Sequence, residues 1–208
     1  MAFDGIILDV DGTLWNTTEV VAQAWNKAIS RICPAVPLVT PEQLQSQFGK
    51  IMEVIADNLF VPATPEEKKL LLAECCKEEQ KALEKLDKDI SYPHVRETVK
   101  TLSKTHKVFI VSNCQKGYIE LTMEKNHLKE YITDWECYGN TGMGKDKNIA
   151  LVIERNNLKS PLYVGDTQGD YEACLTAQVP FVWAAYGFGT PTGYYAKIED
   201  FARLLSLV

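Results

Sequence analysis

Acidic, hydroxyl and ammonium side chains stand at the ends of short apolar runs in this 208-residue chain. Ile6-Ile7-Leu8 is followed by Asp9-Val10-Asp11-Gly12-Thr13, and Val108-Phe109-Ile110-Val111 by Ser112-Asn113. Leu162-Tyr163-Val164 is followed by Gly165-Asp166-Thr167, with Asp170 close behind, and Lys145 follows the glycine-rich Gly142-Met143-Gly144. Carboxylates gathered in one crevice repel each other and lose solvation, so Asp9, Asp11, Asp166 and Asp170 together call for a divalent cation. All-oxygen donors favour a hard ion, and Mg²⁺ suits a site that also takes a phosphate. Lys145 and the Ser112 hydroxyl can balance the remaining phosphate charge, and backbone N–H groups near Gly12 and Asn113 can add donors. Beside such a pair Asp9 can act as a nucleophile, and Asp11 can protonate a leaving oxygen and later accept a proton from water.

These side chains need a scaffold that brings remote segments to one edge. The run from Phe3 to Asp9 is short and apolar, as in a strand buried on both faces. Val108–Val111, Leu162–Val164, Phe181–Trp183 and a weaker stretch at Trp135–Tyr138 read as further strands. Helical patterns alternate with them at Val95–Lys104, Tyr118–Lys125, Lys147–Arg155, Tyr171–Ala177 and from Glu199. This alternation predicts an α/β fold, a Rossmann-like, doubly wound and mostly parallel sheet whose working residues gather at the carboxyl ends of its strands.

Between the first two strands the texture is helical only. Glu19–Ile32 repeats apolar residues at helical spacing, and a short helix is expected at Ile51–Leu59. Thr40-Pro41-Glu42-Gln43 and Thr64-Pro65-Glu66-Glu67 each read as an N-cap, a first-turn proline and a capping-box partner. The second opens a helix expected to reach Lys88, with Leu70, Leu71, Cys75, Leu83 and Leu86 on its apolar side. The expected division is therefore a core of residues 1–15 and 90–208 and a small inserted α-helical domain of residues 16–89.

Composition narrows the partners. With 28 acidic against 22 basic side chains the net charge is −6, which argues against nonspecific binding to nucleic acid or to an anionic membrane. No apolar run is long enough to span a bilayer, and Met1-Ala2-Phe3-Asp4 lacks the basic flank of a signal peptide. The six cysteines form no CxxC pair or zinc-type cluster, so they are expected as reduced thiols in a cytoplasmic protein.

In order and spacing, Asp9-Val10-Asp11-Gly12-Thr13-Leu14, Ser112, Lys145 and Gly165-Asp166-Thr167-Gln168-Gly169-Asp170 resemble the motifs of the haloacid dehalogenase superfamily. The second aspartate resembles its phosphatase and phosphomutase branches. The helical insert is similar to the C1-type cap of the phosphoglycolate phosphatase and β-phosphoglucomutase group. Tyr92-Pro93 is similar to that group's Tyr-Pro-Gly turn, with His94 in place of glycine.

The resemblance implies Asp9 as nucleophile and Mg²⁺ ligand, and Asp11 as acid/base whose carbonyl also meets the metal. It implies Ser112 and Lys145 at the phosphoryl group, Asp166 as a metal ligand and Asp170 as a direct or water-mediated one. Lys147 is a rival to Lys145, because the family's Lys-Pro-x-Pro reads Lys145-Asp146-Lys147-Asn148 here. Leu14 is followed by Trp15-Asn16, where the family often has an aspartate. Lys50 lies where the family places substrate contacts, but a surface lysine is the commoner reading.

The expected function is Mg²⁺-dependent hydrolysis of a small phosphorylated metabolite, with no nucleic-acid or membrane partner. A sugar phosphomutase is the nearest rival, and a receiver-type phospho-aspartate switch a remote one that lacks an inserted cap. His94, His106 and His127 read as structural or surface residues, Trp25 as core, and Tyr186-Gly187-Phe188-Gly189 as a turn.

Overall fold

A computed structural model describes residues 3–208. Met1 and Ala2, where the reading of the N-terminus begins, lie outside the described residues. The chain opens with β1 (Gly5–Leu8), buried along its whole length as a strand covered on both faces must be. Four helices follow: α1 (Thr18–Ile32), α2 (Pro41–Gln45), α3 (Met52–Leu59) and α4 (Pro65–Glu84). Alternation then sets in with α5 (Val95–Leu102), β2 (Lys107–Ser112), α6 (Tyr118–Lys125), β3 (Asp134–Cys137) and α7 (Tyr138–Thr141). It ends with α8 (Lys145–Asn156), β4 (Pro161–Gly165), α9 (Gln168–Ala177), β5 (Phe181–Ala184) and β6 (Ala196–Ile198). A single 3₁₀ turn lies at Lys129–Tyr131 and a six-residue 3₁₀ helix at Phe201–Ser206.

The six strands form one parallel sheet in the order β3-β2-β1-β4-β5-β6, the doubly wound arrangement. Leu8 pairs with Ile110 on one side and Val164 on the other. The register therefore brings Asp9, Ser112 and Asp166 to the same sheet edge. The strand order reverses at β1, with β2 on one side and β4 on the other, and ligands of such sheets bind in the crevice at that point.

The residues up to Asn16 together with Ile90–Val208 form one compact unit, and Thr17–Asp89 forms a second. In the first, the chain leaves and re-enters side by side. Asn16 N–H donates to Ile90 O at 3.0 Å and Tyr92 N–H to Leu14 O at 2.9 Å. His94 at the re-entry holds a left-handed φ of 65°, the conformation a glycine in that turn would adopt without strain.

The second unit is helical around a core of Val21, Trp25, Ile29, Leu44, Phe60 and Leu71. Both capping boxes form, Thr40 with Gln43 and Thr64 with Glu67. Two expectations need correction here. α4 ends at Glu84, short of Lys88, and Leu70 is 56% exposed. Its buried stripe runs Leu71, Cys75, Glu79, Leu83 at strict four-residue spacing, and Leu70 falls about 100° away from it. Glu79 joins that stripe because its carboxylate accepts the Trp25 indole N–H at 2.7 Å.

Two further differences concern the last third of the first unit. β6 was not expected, since three residues are too few to show a period. The closing segment from Glu199 is a 3₁₀ helix of six residues capped by Asp200 rather than an α-helix. Among the described residues no helix is long and apolar enough to cross a membrane, and all six cysteines are free thiols.

Candidate active site

Each carboxylate reaches the crevice by a local device. Asp9 follows β1 directly and its N–H donates to Val164 O at 2.9 Å, continuing the ladder by one residue. Gly12 then turns the chain with φ +80°, and a Cβ there would lie 2.1 Å from the Asp166 carboxylate. Only a glycine lets that loop pass so close to Asp166. Asp170 is the third residue of a capping box with Thr167, which fixes it in the first turn of α9.

Lys145 is the first residue of α8, with Gly144 as its N-cap. The loop before it is held by Asn148, which is fully buried, accepts from Thr141 Oγ1 at 2.9 Å and donates to Met143 O at 2.9 Å. The ammonium so presented lies 2.9 Å from Asp9 Oδ1 and 2.5 Å from Asp170 Oδ1. Lys147 is exposed and its nearest carboxylate is Asp146 at 3.8 Å. Of the two rival lysines, Lys145 is the one the fold inserts among the carboxylates.

Asp170 is fully buried and surrounded by donors. Oδ1 also accepts from the Tyr163 hydroxyl at 3.3 Å, and Oδ2 accepts from the N–H of Asp166 and from both the N–H and hydroxyl of Thr167. Burial opposes its charge, yet Lys145 and these hydrogen bonds win and hold the carboxyl below its ordinary range. Lys145 gains in return. Burial alone would discharge it, but Asp170 and Asp9 keep it firmly charged.

Asp9 and Asp166 are less well compensated. Burial pushes Asp9 up to about 6 despite Lys145, with Asp170 adding to the rise. Burial, and then Asp170 and Asp9, hold Asp166 well above the usual carboxylate range. Its oxygens accept the Phe188 N–H at 2.7 Å and the Thr13 hydroxyl at 3.4 Å. One oxygen from each of Asp9, Asp166 and Asp170 falls within a span of 4.8 Å, a buried set that could hold a metal ion. Three acids against one ammonium leave an excess of negative charge that a divalent cation would neutralise, so the donor set fits such an ion.

The other candidate residues are distributed unevenly. Ser112 is buried at the end of β2 and Asn113 half-buried beside it. Asp11 is half-buried, and its Oδ1 accepts the Tyr118 hydroxyl at 2.8 Å. Lys50 belongs to the helical unit, is exposed, and donates to Gln47 at 2.9 Å.

Three parts of the site were not legible in the sequence. Tyr163 on β4 spans from Val111 O, at 2.9 Å, to Asp170. Asn148 shapes the lysine loop. The Tyr186–Gly189 segment, expected as a plain turn, packs against the motif loops: Tyr186 donates to Thr13 O at 2.9 Å and Phe188 to Asp166. The available signal was the tight glycine spacing of Gly187 and Gly189.

The family model of the haloacid dehalogenase-like hydrolases matches residues 6–184. The chain belongs to that family. This haloacid dehalogenase-like hydrolase also superposes on solved structures over nearly its whole length. A predicted phosphoglycolate phosphatase of Haemophilus somnus aligns with a TM-score of 0.88 at 21% identity, covering 99% of this chain and 97% of that one. A predicted phosphatase of Clostridium acetobutylicum gives 0.85 at 15% identity, covering 100% and 98%. A haloacid dehalogenase-like hydrolase of Streptococcus pneumoniae gives 0.85 at 13%, covering 99% and 98%. At these identities the likeness speaks for the fold. Comparison of the sequence with curated proteins finds no match.

Proposed function

We propose that this hydrolase is a Mg²⁺-dependent phosphatase of small phosphate monoesters that works through an aspartyl-phosphate on Asp9. The observation that carries the reading is the Lys145 ammonium held at 2.9 Å from Asp9 inside a buried cluster of acids. A buried cation fixed beside a candidate nucleophile gives a phosphoryl group its counter-charge where the nucleophile can reach it. Similarity to predicted phosphatases of the same fold supports the same direction.

Asp9 and Asp166, with the Asp11 carbonyl, would hold the Mg²⁺, and Asp170 would serve mainly as the anchor of Lys145 because its oxygens already accept five donors. When bound, the ion supplies charge neutralisation for the transferring phosphoryl group. A carboxylate oxygen of Asp9 attacks phosphorus while the bond to the ester oxygen breaks. Asp11, protonated, gives its proton to that leaving oxygen. Water then attacks phospho-Asp9, Asp11 takes the proton, and phosphate leaves with Asp9 restored. Ser112 and Lys145 hold the phosphoryl oxygens through both steps.

Phosphate release from a panel of small phosphate esters, with and without Mg²⁺, tests the reading for the native protein and Asp9→Asn. Mg²⁺-dependent release that vanishes in the variant is expected. Interconversion of sugar phosphates that requires an added bisphosphate would replace the phosphatase with a mutase. Stable phosphorylation without turnover would overturn the enzymatic reading.

A further inference from the structure

Asp11 stands in a turn at the end of β1, and a side chain remote in sequence reaches its carboxylate. Tyr118, the first residue of α6, donates its hydroxyl to Asp11 Oδ1 at 2.8 Å across 107 positions of sequence. Gly117, in a left-handed conformation with φ 88°, starts the helix and turns the tyrosine inward. The Tyr118 ring is almost wholly buried and meets Trp15 edge-on, with centroids 5.7 Å apart.

Trp15 is tied to the same turn as Asp11. Gly12 N–H donates to Trp15 O at 3.0 Å, Asp11 and Trp15 form an isolated β-bridge, and Trp15 bridges on to Ser91. The indole therefore braces the phenol from the loop that carries the aspartate. The packing is closed at both ends: turn to indole, indole to phenol, phenol back to carboxylate.

We propose that Tyr118 is a positioning residue for the reaction, orienting Asp11 for proton transfer to the leaving oxygen. The proposal rests on the acid/base reading of Asp11 given above. Proton transfer needs the two heavy atoms within about 2.6–3.2 Å, so a carboxylate that swings freely spends little time in range. With Oδ1 held by the phenol, rotation about the Cβ–Cγ bond is restrained and Oδ2 is left to carry the transferred proton. The phenol keeps its own proton throughout, and the only proton transferred is that of Asp11.

Leaving-group dependence separates this role from simple packing. The probes are β-glycerol phosphate, whose alkoxide must be protonated as it leaves, and p-nitrophenyl phosphate, whose phenolate leaves without a proton. The parameter is kcat/KM, which reports events up to the first bond cleavage. Tyr118→Phe is expected to lower kcat/KM about tenfold toward the alkyl ester and less than about twofold toward the aryl ester, the scale of one lost orienting contact. In an Asp11→Asn background the same substitution is expected to change neither value. Equal losses toward both esters would assign Tyr118 to packing alone and overturn the proposal, as would no loss toward either. Asp11→Asn alone tests the underlying reading: if it leaves alkyl-ester hydrolysis intact, the acid/base assignment falls and the proposal with it. If Asp11→Asn abolishes that hydrolysis while Tyr118→Phe stays at native rates, only the proposal falls.

Discussion

A Cβ added to Gly187 would lie 2.4 Å from the Cβ of Asp166 and 2.4 Å from the carbonyl oxygen of Gly12. Gly187 is thus the point where a late loop closes over two motif loops, and the next residue, Phe188, donates its N–H to the Asp166 carboxylate. Backbone cannot yield there as a flexible side chain could. Gly187→Ala is expected to push Asp166 or the loop outward and to destabilise the protein by roughly 1–3 kcal/mol, the usual range for overpacking. Activity should fall further than stability explains, since a displacement of about 1 Å in a catalytic group can cost about 10²-fold. Urea unfolding and Mg²⁺-dependent turnover measure the two effects, and native turnover in a well-folded variant would contradict the expectation.

Lys145 makes a sharper test, because it is a single buried cation between two buried acids. Lys145→Met keeps much of the apolar stem and removes the charge, leaving Asp9 and Asp170 without their cation. The expected cost is about 3–5 kcal/mol without metal, as for breaking a buried ion pair from one side. Turnover should be lost as well. Lys147→Met, at an exposed position, is expected to change neither property. Parallel melting curves and steady-state rates on the two variants decide between the lysines.

The contrast between these two lysines shows how much was legible. An α/β sheet with its acids at the carboxyl ends followed from apolar runs that each stop at a polar residue. Every strand was visible except β6, a three-residue strand whose partner is set by the path of a loop. Asp170 read as a metal ligand, and the structure bonds it to Thr167 and Lys145 with different oxygens. Tyr163, Asn148 and Tyr118 were not legible as site residues, because each acts through a contact made only when remote segments meet. Leu70 misled for the opposite reason: its composition is that of the core, but its angle on α4 faces solvent.

The acids also make a statement about pH. In the folded protein Asp9 is raised from 3.8 to about 6 and Asp166 is raised as well, so the folded state holds protons the unfolded chain has released. That contribution favours folding fully below the unfolded value of 3.8 and is lost as pH rises through about 6. Asp170 is lowered and works in the opposite sense, its contribution being present above 3.8 and lost as pH falls below it. Between these limits the metal-free protein should lose the Asp9 contribution as pH rises. A cation binds the deprotonated forms, so Mg²⁺ is expected to raise the melting temperature more at pH 7.5 than at pH 5, and to release protons on binding near pH 6. Melting curves with and without Mg²⁺, and titrations in buffers of different ionisation enthalpy, check both. An equal Mg²⁺ shift at every pH would remove Asp9 from the metal site.

The helical unit carries a buried acid of its own, and its role is structural. Glu79 takes a core position on α4 and accepts the Trp25 N–H at 2.7 Å. Trp25 in turn packs on Phe60, with ring centroids 5.8 Å apart, at the centre of that unit's core. Glu79→Ala removes the acceptor and leaves the indole N–H buried without it, at an expected cost of about 1–3 kcal/mol. Glu79→Gln retains an amide oxygen that can accept the same hydrogen bond, and should cost much less. Chemical unfolding followed by tryptophan fluorescence reads the difference directly. If the two variants were destabilised equally, it would be the charge of Glu79, rather than its hydrogen bond to Trp25, that holds the helices together.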